Sequence, residues 1–160
     1  MRYALKAYEY YKKVDSHKAA DTENLMAIIS ARMNNKAEAL VHFRNIYKYG
    51  QSHKDPDQSA RALNNIGTIF LNSNQSYSAL YYYDKVLSLV SQTDNHQLAI
   101  VANVNIGRSL AKLHREKEAE EKFLEAENLL DTLKVDKSKA FVYNEMAGFY
   151  LNEKKADQAL

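Results

Sequence analysis

Small residues recur every 40 positions along this chain, as Ala27, Gly67, Gly107 and Ala147. Twelve residues after each comes an alanine, at 39, 79, 119 and 159, and four beyond the first three stand Phe43, Tyr83 and Phe123. Met26, Ile66, Ile106 and Met146 directly precede the small residues, and Ser30, Phe70, Leu110 and Tyr150 follow them three places later. Columns held in one register mark a supersecondary unit that cannot bury its apolar face alone and stacks on copies of itself. A repeat array is therefore the first expectation for the fold.

Each unit reads as two helices. In the second, Ala62, Leu63, Ile66, Ile69 and Phe70 recur at steps of three and four, as on one face of an amphipathic helix. The stretch 72–76 is a turn, with Ser76 the expected N-cap. A second apolar stripe then runs through Ala79, Leu80, Tyr83, Val86, Leu87 and Val90. The pattern predicts helices over 2–14, 20–33, 36–49, 58–72, 76–91, 96–113, 116–133, 137–152 and from 155 onward. Residues 1–19 form a preceding or capping helix, with repeats over 20–59, 60–99 and 100–139 and a truncated fourth over 140–160. The small residues predict close crossings within hairpins, pairing Ala27 with Ala39, Gly67 with Ala79, Gly107 with Ala119 and Ala147 with Ala159. A mid-helix glycine costs about 1 kcal/mol relative to alanine, so two at matching positions imply a packing need.

Composition agrees and excludes much else. The 160 residues hold only four glycines and one proline, Pro56, too few turn signals for an all-β fold. The absence of cysteine removes disulfides, thiolate metal sites and cysteine nucleophiles, and suits cytoplasm and periplasm alike. The net charge of +2 is spread thinly: residues 1–50 hold nine Lys and Arg against five Asp and Glu. That excess falls short of the concentrated basic face of a nucleic-acid binder. No stretch reaches the roughly eighteen apolar residues of a membrane span, and MRYALKAYEYYKKV lacks the apolar core of a signal peptide. Both ends interrupt the pattern, which predicts that the chain is a piece of a larger protein and leaves open whether Met1 is the native start.

The run Leu63-x-x-Ile66-Gly67-x-x-Phe70 followed by Ala79-x-x-x-Tyr83 resembles the tetratricopeptide pattern W-x-x-L-G-x-x-Y…A-x-x-x-F. Asn103-x-x-Ile106-Gly107-x-x-Leu110…Ala119-x-x-x-Phe123 is a second copy, and Tyr143-x-x-Met146-Ala147-x-x-Tyr150…Ala159 a third. Glu23-x-x-Met26-Ala27-x-x-Ser30…Ala39-x-x-x-Phe43 is a weaker fourth. The resemblance covers about residues 20–160, without the Trp, without the closing Pro, and with a period of 40 in place of 34. It implies an all-α fold of antiparallel helix hairpins stacked in a right-handed superhelical solenoid. It also implies a protein- or peptide-binding scaffold, such as the sensory or docking region of a larger signalling or regulatory protein.

Enzyme signals are lacking. The histidines at 17, 42, 53, 96 and 114 have no HExxH spacing, and GxGxxG, GxxxxGK[ST] and GxSxG do not occur. They are expected to be exposed or satisfied. Glu116, Glu118, Glu120, Glu121, Glu125 and Glu127 alternate with Lys117 and Lys122, as on a solvated helix face with helix-spaced ion pairs. No catalytic residue, metal ligand or cofactor is therefore expected. Tyr81, Tyr82 and Tyr83 are consecutive and cannot share one face. Tyr83 belongs to the core column, while Tyr81 and Tyr82 serve packing or an aromatic contact patch.

The resemblance assigns the first helices of the units to a concave surface. There Asn24, Asn64 and Asn144 share one column, and Asn65 and Asn105 the next, with Arg108 and Lys112 one turn apart. Carboxamides donate and accept together and so can pair with a peptide backbone of any sequence. The expected peptide-contacting set is Asn64, Asn65, Asn105, Arg108, Lys112 and Asn144, with the two cations favouring an acidic group. The other reading has these asparagines capping turns or bonding across neighbouring first helices to hold the array. The family's carboxylate clamp is incomplete, since its first unit offers Asn24 and Ile28. The alternative function is self-association through the array ends, or a spacer with an empty groove.

Overall fold

The computed structural model describes residues 1–133 and 138–152. These form eight α-helices: α1 (Arg2–Val14), α2 (Ser16–Arg32), α3 (Lys36–Ser52), α4 (Pro56–Asn72), α5 (Ser76–Val90), α6 (His96–Ala111), α7 (Glu116–Leu133) and α8 (Lys139–Asn152). The chain is all-α among the described residues, and each helix packs on the next in order. The hairpins α2/α3, α4/α5 and α6/α7 are successive units, with first helices starting at 16, 56 and 96 and second helices at 36, 76 and 116. First helices of neighbouring units also touch, α4 on α6 and α6 on α8. The helix expected from 155 onward, and with it Ala159, lies outside the described residues.

Two capping columns set the period. Asp15, Asp55 and Asn95 are N-caps 40 residues apart, their side chains accepting from the amides of Lys18 (3.0 Å), Gln58 (2.8 Å) and Leu98 (3.1 Å). Each such cap contributes about 1 kcal/mol. They start α2 at residue 16 and not 20, and α4 at 56 and not 58, with Pro56 in the first turn. Ser76 is the first residue of α5 and not its cap; Gln75 holds that place.

Asn34, Asn74 and His114 close the first helices in left-handed backbone, at φ of 60°, 58° and 55°. Each is followed by an amide that reaches back to the carbonyl of residue 30, 70 or 110, at 2.8–3.0 Å. This six-to-one bond satisfies the orphan carbonyls of the helix end and turns the chain. Asparagine tolerates left-handed backbone and histidine less so, while a β-branched residue is strained there. Accordingly His114→Val should lower stability by about 1 kcal/mol or more, and His114→Gly should hold or raise it. Urea denaturation of the pair checks this.

The core repeats with the same period. Phe43, Tyr83 and Phe123 are at most 2% exposed, and burying each contributes roughly 1.5–3 kcal/mol. The expected glycine–alanine crossings take a different form. Nearest to where a Cβ would stand on Gly67 is the Tyr83 ring, at 2.7–3.0 Å, and on Gly107 the Phe123 ring, at 3.0–3.1 Å. The glycines thus make room for the aromatic ring one turn beyond Ala79 and Ala119. A Cβ on Gly50, near the end of α3, would stand just as close to the backbone amide of Ser59 in α4, at 2.9 Å.

A last helix whose partner from 155 onward is cut short would be expected to leave the apolar face of Phe141, Met146 and Tyr150 open, yet much of that face is packed. Met146, Phe149 and Tyr150 are buried, with Phe149 against Phe123 and the Tyr150 hydroxyl donating to Glu120 at 3.0 Å. Exposed apolar side chains stand at both ends: Tyr3, Leu5, Tyr10 and Val14 on α1, and Tyr143 and Leu151 on α8. Tyr3 stands 40 residues before Phe43, in the column that is buried in every later unit.

Candidate functional site

The first helices α2, α4 and α6 line a common groove. At its N-terminal side a cavity of about 360 Å³ is walled by Asp21 and Asn24 of α2, Gln58, Arg61, Asn64 and Asn65 of α4, and Asn95 and Gln97 at the start of α6. Ile46, Ala62, Leu98 and Val101 supply its apolar surface. Gln58 Oε1 is buried here with no hydrogen-bond partner among the described residues. That atom is shielded from solvent, so the polar lining that faces the cavity comes from the other side chains named.

Further along, three of the expected contact residues are joined to one another. Asn105 is only 5% exposed; its Nδ2 donates to Asn64 Oδ1 at 3.3 Å and its Oδ1 accepts from Arg108 Nη1 at 3.2 Å. Arg108 Nε then pairs with Glu145 Oε2 of α8 at 3.1 Å. One polar chain thereby ties three successive first helices together. Lys112 Nζ donates to Asn74 Oδ1 in the preceding hairpin turn, at 2.9 Å. Arg108 and Lys112, expected to await an acidic ligand, are thus engaged within the protein, and Asn64 and Asn105 bond across helices as in the second of the two readings.

Asn65 and Asn144 are placed differently. Asn65 is half-buried and lies on the wall shared by the polar cavity and a second one beside it. Asn144 is exposed on α8. The residues that sequence reasoning passed over, Asp21, Gln58, Asn95 and Gln97, cluster at the helix starts. Their signal was the capping column at 15, 55 and 95, which brings the first turns of the first helices into the groove.

Elsewhere the polar groups are spent on structure. Glu23, 8% exposed, accepts from Asn45 at 2.7 Å and lies 3.3 Å from His42 Nδ1, so His42 is satisfied within the first hairpin. On α7 and the turn before it, Arg115 pairs with Glu118 and Lys122 with Glu125 at 2.6–2.8 Å, as expected of a solvated face. Tyr82 stacks on Phe70 with ring centroids 5.3 Å apart, and Tyr81 is exposed beneath the ammonium of Lys85. Among the described residues no three His, Asp or Glu side chains converge as a metal site requires, and no helix is long and apolar enough to cross a membrane. No protein-family model matches the chain, and comparison with curated proteins finds no significant match.

Proposed function

We propose that this chain is a tetratricopeptide-type array whose groove binds a polypeptide segment, serving as a non-catalytic docking region of a larger signalling or regulatory protein. The observation that carries the reading is the polar cavity shared by α2, α4 and α6. Amides and charges from the first helices of three successive units converge on one space there, as backbone-directed recognition requires. Because Arg108 is already bonded to Asn105 and Glu145, the proposed contact set centres on Asn24, Gln58, Arg61, Asn64 and Asn65. Asn144 stays in it as an outer contact.

The test is selection of binders from a library of random peptides displayed on phage, followed by titration of the best one. Asn65→Ala should weaken binding by about 1 kcal/mol, roughly fivefold, as for one net hydrogen bond. Tyr81→Ala, on the other surface, should leave affinity unchanged. The reverse pattern moves the contact to the aromatic patch.

Self-association is the second reading, and the exposed α1 face favours it. Tyr3, Tyr10 and Val14, seven and four residues apart, share one side of the helix, and apolar groups exposed in this way mark contact surfaces. Sedimentation of the wild type beside Tyr3→Asp with Tyr10→Asp separates the two: an assembly that these changes dissolve, with Asn65→Ala inert, supports self-association.

A further inference from the structure

We propose that the groove holds its ligand through two side-chain pockets set two units apart, with the position between them closed. This rests on the reading of the groove as the binding face and specifies how a polypeptide is gripped there. The first pocket, about 380 Å³, lies between units 1 and 2, with Ala31, Phe43 and Ile69 among its walls. The second, about 450 Å³, lies between unit 3 and α8, with Ala111, Phe123 and Phe149. Every residue lining the second has its counterpart in the first 80 positions earlier. They are the same recess of the repeat, seen in alternate units, and each is large enough for an apolar side chain.

The intervening position explains the alternation. Leu71 stands in the column of Ala31 and Ala111, is 0% exposed, and carries an isobutyl group where the alanines carry a methyl. Tyr83 stands in the column of Phe43 and Phe123, its hydroxyl 3.2 Å from Thr68 Oγ1. Lys112 reaches across to Asn74 at 2.9 Å. Leucine for alanine, tyrosine for phenylalanine and one long cation are the features that close the middle position in the proposed grip.

The two rims differ in charge. Arg32 and Lys36 border the first pocket with no carboxylate in its wall, whereas Arg108 in the second is held by Glu145. The occupant is therefore a polypeptide bearing two separated apolar side chains, with a carboxylate beside the one that enters the first pocket.

The probes are 3-phenylpropionate and its uncharged amide, followed through backbone amide shifts of the labelled protein. Shifts should gather at Ala31 and Asn72 and at Ala111 and Asn152, and spare Leu71 and Asn74. The acid should bind the first pocket several-fold tighter than the amide does, and the second about equally. Ala31→Leu should silence the first pocket alone and Ala111→Leu the second alone; Leu71 shows that the fold accepts leucine in this column. Peptides with Glu-Phe at one end, Phe at the other and a Gly-Ser spacer of increasing length, made in both orders, complete the test. One length should bind at least tenfold tighter than either half, and either leucine variant should abolish that gain. Shifts that persist in the leucine variants, or no length preference, overturn the proposal. A library-selected peptide that contacts the groove yet ignores both substitutions sinks the two-pocket grip and leaves the binding face standing. Failure to find any groove-binding peptide sinks both.

Discussion

Gly67→Ala should lower stability by about 1–3 kcal/mol, although alanine for glycine in an open helix stabilises by about 1 kcal/mol. Three atoms of the Tyr83 ring lie 2.7–3.0 Å from where the new methyl would stand. That ring is 0% exposed and has nowhere to go. Gly107 and Gly148 make a graded control. At Gly107 the Phe123 ring is 3.0–3.1 Å away, so a shift of a few tenths of an ångström accommodates alanine and the loss should be small. At Gly148 nothing lies within 4 Å, and alanine should stabilise by about 0.5–1 kcal/mol. Thermal unfolding reads the series directly, at about 2–4 °C per kcal/mol for a chain of this size. Equal effects at all three sites would mean that ring packing is not what the glycines serve.

The same ring predicts a specific alkaline weakness. Burial pushes the Tyr83 hydroxyl up to about 12, opposed in part by its hydrogen bond with Thr68 and by the charge of Arg108. In the unfolded chain tyrosine titrates near 10. A folded-state value above the unfolded one means that the stabilisation is complete below about pH 10 and is lost as pH rises towards 12. Two units correspond to up to about 2–3 kcal/mol. Tyr83→Phe should cost about 1 kcal/mol at neutral pH, where the bond to Thr68 is lost, because Phe43 and Phe123 already fill the same column elsewhere. Between pH 10 and 12 the difference should shrink and then reverse. Parallel denaturant curves at pH 7 and above pH 11 check this, and a constant difference across that range would contradict it.

The array was legible from the columns at 27, 67, 107 and 147 because a 40-residue period repeats every packing requirement. What escaped was the purpose of the glycines. A small residue in a helix marks a close approach, and only coordinates show that the approaching group is the Tyr83 or Phe123 ring. The early starts of α2 and α4 were written in Asp15 and Asp55, but apolar periodicity begins inside a helix and says nothing of its capped first turn. In the groove, the asparagine columns were visible while their bonding was not. Whether Asn105 meets a ligand or Asn64 depends on the distance between neighbouring first helices, which no single helix encodes. Arg108 likewise read as a free cation because Glu145, its partner, sits 37 residues away on α8.

The most direct measurement is the footprint of a library-selected peptide, mapped by amide shifts on the labelled protein. The binding reading predicts perturbed amides along α2, α4 and α6, strongest around Gln58, Arg61 and Asn65, with the Tyr81 and Lys85 surface of α5 unchanged. A footprint confined to Tyr81 and Lys85, or to Tyr3 and Tyr10 of α1, would contradict it.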